Sequence, residues 1–242
     1  MVFAVPDFEP AVGGTTRQVG LQARALAARG HEVVIVTRRR GGSWPRRERL
    51  AGIDVHRLGP PGRGRVREAL ALIALAKWLR RRRRRIGPVA AVMWPDAQVA
   101  AFAAGVLSRT VTVWAIRGEA EAALADGAST ARRLMLRLRR SLFRRTPHVV
   151  LTARMAAELV ATGAGEPVVI PVPVDCRHFR PPSAEERADA RRALAIEPGS
   201  FVVVYVGHLE VRKAVDRLVE AFGLQKDLMT LAGAKADNLV FE

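Results

Sequence analysis

Short, mostly apolar runs alternate along the chain with longer stretches whose apolar residues return every three or four positions. Residues 2–5 (VFAV), 32–37 (EVVIVT), 53–58 (IDVHRL), 89–94 (VAAVMW), 110–116 (TVTVWAI), 148–152 (HVVLT) and 167–171 (PVVIP) read as strands. Residues 18–29 read as a helix on the spacing of Val19, Leu21, Ala23, Leu26 and Ala27, closed by Gly30. A second helix runs from Val66 to about Arg84. This β-α alternation predicts an α/β fold with a parallel, doubly wound sheet. Pro171, Pro173, Pro181 and Pro182 then punctuate a linker. Ser183 and Glu186 have capping-box spacing and open a new helix, followed by an apolar strand at 201–206, Gly207 and an amphipathic helix. A domain boundary is placed within 171–182, giving an N-terminal domain with hinge over 1–178 and an incomplete C-terminal one over 179–242.

Composition narrows the class. About half of the 242 residues are apolar, enough to bury a core. Met1 is followed at once by VFAV, which leaves no room for a secretory h-region. The longest nearly apolar run, 69–79, is broken by Lys77 and is too short to span a bilayer. The lone Cys176 excludes an internal disulfide, and nothing resembles a zinc site. A cytoplasmic chain is the simplest expectation. The net charge of +17 is uneven: residues 1–182 hold 32 Lys and Arg against 13 Asp and Glu, whereas residues 183–242 hold 8 against 10.

Several segments carry candidate chemistry. In FEPAVGGTTRQ (8–18), Gly13 and Gly14 lie between the first strand and the first helix. Glycines there let backbone N–H groups approach a ligand, and equally suit a plain tight turn. The loop does not fit G-x-G-x-x-G, so a dinucleotide fingerprint is not supported. In GHLEVRK (207–213), Arg212 and Lys213 near a helix start can neutralise a diphosphate, or form a solvated basic turn. There is no Asp-x-Asp pair of the kind that holds a nucleotide through a metal, and no nucleophile elbow. Neither a metal nor another cofactor is expected. Glu158 and Glu166 share a Glu-x7-Glu spacing.

Two segments are strongly basic. Residues 80–85 are an unbroken arginine run that suits a helix C-terminus. In RRLMLRLRRSLFRR (132–145), Arg133, Arg137, Arg140 and Arg144 form one stripe, opposite Leu134, Met135, Leu138 and Leu142. That helix suits either an anionic membrane surface or ordinary packing with charge left over.

Together these pieces resemble the GT-B glycosyltransferases of group 1, glycosyltransferase family four. FEPAVGG followed by LQARALAARGHEVVIVT is similar to the family's glycine loop, first helix and second strand. HVVLTARMAAELVATG with VVIPVPVDCRHFRP is similar to the segment before the hinge. RRALAIEPGSFVVVYVGHLEVRKAVDRLVEAF is similar to the opening of the donor-binding domain. The resemblance covers residues 1–222. It implies two Rossmann-like domains, an acceptor on the first and a nucleotide-sugar on the second, without a metal. By position it puts Gly13, Gly14 and Gly207, with His208, Arg212 and Lys213, near the donor diphosphate.

Departures qualify that implication. His208 stands where the family has an arginine, Ala214 follows Lys213 in place of glycine, and Val172 and Pro173 replace the hinge Asn-Gly. The late carboxylate motif is absent; Glu158 and Glu166 precede the hinge and match it by coincidence. LQKDLMTLAGAKADNLVFE (224–242) is similar to a later family segment, so the donor domain reads as truncated, with an internal piece missing.

The expectation is a retaining glycosyltransferase in cell-envelope polysaccharide or glycolipid synthesis, weakly active or inactive in this form. Its partners would be a nucleotide-sugar, an acceptor sugar or lipid-linked glycan, and the inner face of the cell membrane. The alternative is a non-catalytic, membrane-associated or partner-binding acceptor-domain protein. A specific nucleic-acid partner is not expected despite a pI near 11.6, because aromatics are sparse and no reader module is present.

Overall fold

A computed structural model describes residues 1–94, 96–113, 137–138, 141–161, 163–176, 178–205, 207 and 214–221. Eight strands form one sheet: β1 (Val2–Val5), β2 (Val34–Arg38), β3 (Arg47–Leu50), β4 (Ile53–Leu58), β5 (Val89–Val92), β6 (Thr110–Val113), β7 (His148–Val150) and β8 (Val168–Val169). Their order is β3-β4-β2-β1-β5-β6-β7-β8, and every neighbouring pair is parallel except β3 with β4. Helices among the described residues include α1 (Gly14–Ala28), α2 (Arg65–Arg82), α3 (Asp96–Ala103), α4 (Ala153–Ala161), α5 (Ala184–Ala193) and α6 (Val215–Ala221).

The central strands β1 and β5 are buried at every position, as strands covered on both faces are. Along β1, Val2 and Ala4 join Leu75, Trp78 and Leu79 of α2, whereas Phe3 and Val5 join Val19 and Ala23 of α1. α1 ends as its glycine predicts: Gly30 takes φ +83°, and His31 and Gly30 donate to the carbonyls of Leu26 and Ala27 at 3.1 and 3.0 Å. The expected capping box is also present. Ser183 Oγ accepts from the Glu186 amide at 3.1 Å, and the Glu186 carboxylate accepts from the Ser183 amide at 2.7 Å. With Arg180 also donating to it, the Glu186 carboxyl is held down to about 2.

Two elements differ from the sequence reading. The polar segment RERL forms edge strand β3, joined to β4 through Ala51 and Gly52, both at positive φ. Its alternation is between charged residues rather than apolar and polar ones, so hydropathy does not reveal it. Residues 201–205, expected as a strand, pair with no strand among the described residues, and Phe201 is 86% exposed. A run of apolar residues becomes a strand only when a partner strand takes up its N–H and C=O groups.

The chain divides into two compact units, Met1–Asp175 and Cys176–Glu242. All eight strands lie in the first. Limited proteolysis is therefore expected to leave a fragment ending near residue 175 and to cut first beyond it; equal protection of both units would contradict this.

Beside β6 and β7 a polar group is buried within the core. Gln98 Nε2 donates to Thr146 Oγ1 at 2.9 Å and to Thr112 Oγ1. His148 Nε2 meets the Phe143 carbonyl at 2.7 Å, while its Nδ1 is buried without a hydrogen-bond partner. Burial lowers the His148 pKa, against the effect of the Phe143 bond. A lowered folded value means that the unfolded chain takes up the proton first. The stability that neutral His148 provides is then complete above about pH 6.5 and falls as acidification passes that value. Thermal unfolding from about pH 7 to about pH 5 should show this decline, with a shallower slope for His148→Gln. Some slope will remain, because burial, then Arg82 and Arg47, lower the His56 pKa too.

Candidate functional site

From β1 the chain winds outward through β2 to β4, then returns to β5 on the other side of β1. The order therefore reverses between β1 and β5, and the loops after both strands emerge at the same carboxyl edge. In open parallel sheets ligands bind at such a reversal.

Charged side chains converge on this edge. Arg38, at the end of β2, donates from Nε to the Pro6 carbonyl at 2.9 Å and from Nη1 to Glu68 at 2.9 Å. Its Nη2 lies 3.6 Å from Asp7. Arg40 binds the Asp7 carboxylate through both Nε and Nη2, the latter at 3.2 Å, and its Nη1 lies 3.8 Å from Glu68. The Arg38 guanidinium stands over the ring of Trp94, which follows β5, at 5.5 Å. Asp96, at the start of α3, also acts on Arg38 electrostatically. Burial, then the charge of Arg40, lower the Arg38 pKa, while Asp7, Glu68 and Asp96 act in the opposite direction.

The two arginines are largely buried, whereas the Asp7 and Glu68 side chains are 39% and 47% exposed. Each carboxylate is fixed by a guanidinium and keeps oxygen lone pairs free to accept further hydrogen bonds. Three carboxylates against two guanidiniums make the cluster a poor cradle for an anion. It suits a ligand rich in hydroxyl groups, which donate to carboxylates. Among the described residues, no group of three or more His, Cys, Asp or Glu is placed to hold a metal ion.

Beside the cluster, Gly13 caps α1 and Gly14 begins it. Gly13 is extended, at φ 173°, a conformation open to any residue. No heavy atom lies within 4 Å of where a Cβ would stand on either glycine. The space before the helix is open, and the first-turn N–H groups face it. The loop from β1 is tied down from beneath by Arg57 of β4, whose side chain is fully buried. Arg57 donates to the Glu9 and Pro45 carbonyls and to the Glu48 carboxylate, and packs on Trp44. Thr16 Oγ1 adds a bond to the Asp7 carbonyl at 3.4 Å.

Of the residues singled out from sequence, Gly13 and Gly14 stand at this edge. Gly207 lies in the second unit, where a Cβ would come within 2.7 Å of Tyr205 Oη. His208, Arg212 and Lys213 lie outside the described residues, as do Arg133 and Arg140. Arg137 and Arg144 are exposed, and with Ser141 and Arg145 they line a shallow depression of about 340 Å³. Glu158 pairs with Arg154 at 3.2 Å, and Glu166 is exposed in a loop. The sequence reading missed Asp7, Arg38, Arg40, Glu68 and Trp94. One signal was available: charged residues directly after a buried parallel strand sit at its carboxyl edge, as in VIVTRRR (34–40).

Solved structures share this doubly wound fold. Sucrose-phosphate synthase from Thermosynechococcus elongatus superposes with a TM-score of 0.67 at 19% identity, covering 91% of this chain and 59% of that one. WaaG, a glycosyltransferase involved in lipopolysaccharide biosynthesis, gives 0.61 at 18% identity, covering 91% and 58%. The chain thus spans less than two thirds of either. The chain belongs to the glycosyl transferase 4-like domain family, whose model matches residues 13–175. No curated protein matches it.

Proposed function

We propose that the protein is a retaining glycosyltransferase that moves a sugar from a nucleotide-sugar to a hydroxyl group held at the carboxyl edge of β1, β2 and β5. The open start of α1 beside the Asp7–Arg38–Arg40–Glu68 cluster carries this reading. The cluster offers carboxylate acceptors for acceptor hydroxyls, and the free N–H groups at Gly13 and Gly14 face the donor diphosphate. In the second unit, Gly207, His208, Arg212 and Lys213 are proposed to bind a donor diphosphate by charge-assisted contacts. Developing charge on the leaving diphosphate is then stabilised by fixed donors, with no metal required. The acceptor is proposed to be a cell-envelope glycan or glycolipid, by analogy with the lipopolysaccharide role of WaaG.

Turnover by this chain alone is expected to be slow. Among the described residues, 201–205 pair with no strand to make a sheet on which a nucleotide rests, and positioning supplies much of a transferase's rate enhancement. The same observation favours a second reading, an acceptor-binding protein without transfer activity. Calorimetry with nucleoside diphosphates and a panel of nucleotide-sugars separates the two. Transfer predicts saturable binding of one nucleotide, weakened about 10- to 100-fold in Lys213→Ala by loss of a charged phosphate contact. Absence of binding to every nucleotide supports the second reading.

A further inference from the structure

A helix packed against a sheet turns its apolar side inward, and α2 does so with Ala71, Leu75, Trp78 and Leu79. It also carries large apolar side chains outward: Val66, Leu70 and Ile73 are 73%, 46% and 51% exposed. At 100° per residue these three fall within an arc of roughly 60°. Lys77, Arg80 and Arg81 continue the same face toward the C-terminus, within roughly 100° in all. Residues 83–85 extend the basic run beyond the helix, and Arg63 and Arg65 stand at its other end. Among the described residues none of these cations pairs with a carboxylate. The helix's single acid, Glu68, is engaged with Arg38 at 2.9 Å.

We infer that this outer face of α2 docks on an anionic phospholipid surface, with the helix lying in the interface. The pattern selects that occupant. A second copy packed face to face would set unpaired cations against each other or against Val66, Leu70 and Ile73, and burying an unpaired cation is costly. An anionic bilayer accepts both halves. The apolar side chains enter the acyl boundary, and the lysine and arginine stems lie along it with their heads at lipid phosphates.

The docking stands without the transferase reading, but it bears on it. The first turn of α2 holds Glu68, which binds the two arginines of the candidate site. With α2 on the membrane, headgroups lie next to the edge where a lipid-linked acceptor would be received.

The test is sedimentation of the full chain with phosphatidylglycerol-containing vesicles and, in parallel, with pure phosphatidylcholine vesicles. The wild type should sediment with the first and not the second. The Val66→Ser, Leu70→Ser, Ile73→Ser triple variant should keep its circular dichroism and lose binding by about tenfold or more at constant salt. Lys77→Gln, Arg80→Gln and Arg81→Gln together should weaken the salt-sensitive part. A tryptophan placed by Ile73→Trp should shift to the blue with anionic vesicles alone. The inference is overturned by any of three results. These are a serine variant that binds like the wild type, binding that depends on Arg137 and Arg144 instead, or a wild type that captures an acidic protein or nucleic acid and ignores vesicles. Vesicle binding is read without turnover, so failure of transfer leaves it untouched.

Discussion

Replacing Arg57 by alanine should lower the unfolding free energy by about 3–5 kcal/mol, the usual cost of removing one partner from a buried ion pair. The Arg57 side chain has no solvent exposure. Its guanidinium satisfies the Glu48 carboxylate and the Glu9 and Pro45 carbonyls, and its removal leaves all three short of a donor. A cavity against Trp44 adds to the cost. One donor, Arg57 Nε, has no partner even in the native protein, which offsets part of that added cost. Arg57→Lys keeps the charge, but a single ammonium cannot match the planar fork; a loss of about 1–3 kcal/mol is expected. Urea unfolding of the three proteins measures both differences. Because Arg57 joins the loop after β1 to the segment before β3, the same variants should loosen the candidate site. A loss below about 1 kcal/mol for the alanine variant would show that the buried arginine does not hold this edge together.

Gly13→Val should leave stability nearly unchanged and reduce transfer by roughly 100-fold or more. The two halves of this expectation have separate causes. The backbone at Gly13 is extended and meets nothing within 4 Å of a new Cβ, so a valine fits the folded chain. The branched side chain then projects into the space in front of the α1 amides, where the donor diphosphate is proposed to lie. A glycine at a helix N-terminus facing open space leaves room for a ligand's close approach. Melting temperature and transfer rate, measured on the same preparation, separate the outcomes. A large drop in melting temperature would assign Gly13 to the fold, and unchanged transfer would remove it from the site.

The sequence carried the frame of the first unit because β1 and β5 are continuous apolar runs buried at every position, β4 alternates buried and half-buried positions, and α1 and α2 turn an apolar side to the sheet. VFAV and IDVHRL read as β1 and β4 without help from tertiary contacts, and Gly30 marked the end of α1. β3 was not legible, since an edge strand made of Arg47, Glu48, Arg49 and Leu50 has no apolar face to announce it. The run at 201–205 shows the converse error: local apolar character is shared by strands and by unpaired segments, and pairing decides between them. The site was half legible. Gly13 and Gly14 stood out because glycines between a strand and a helix let backbone N–H groups approach a ligand. Asp7, Arg38, Arg40 and Glu68 did not, because in a chain with 40 Lys and Arg a further arginine carries little information. Only the fold shows that residues some thirty positions apart meet on one edge, as Arg38 and Glu68 do at 2.9 Å.

The central claim is that this edge is the acceptor side of a sugar-transfer site. Its most direct test is incorporation of labelled sugar from a panel of nucleotide-sugars into a membrane lipid extract by the purified protein. Asp7→Asn and Glu158→Gln are assayed beside the wild type. The account predicts slow but measurable incorporation from at least one donor, reduced about 10- to 100-fold in Asp7→Asn by loss of a charged acceptor. Glu158→Gln, at a side chain paired with the exposed Arg154, should match the wild type. Incorporation from no donor, or equal incorporation by wild type and Asp7→Asn, would contradict the account.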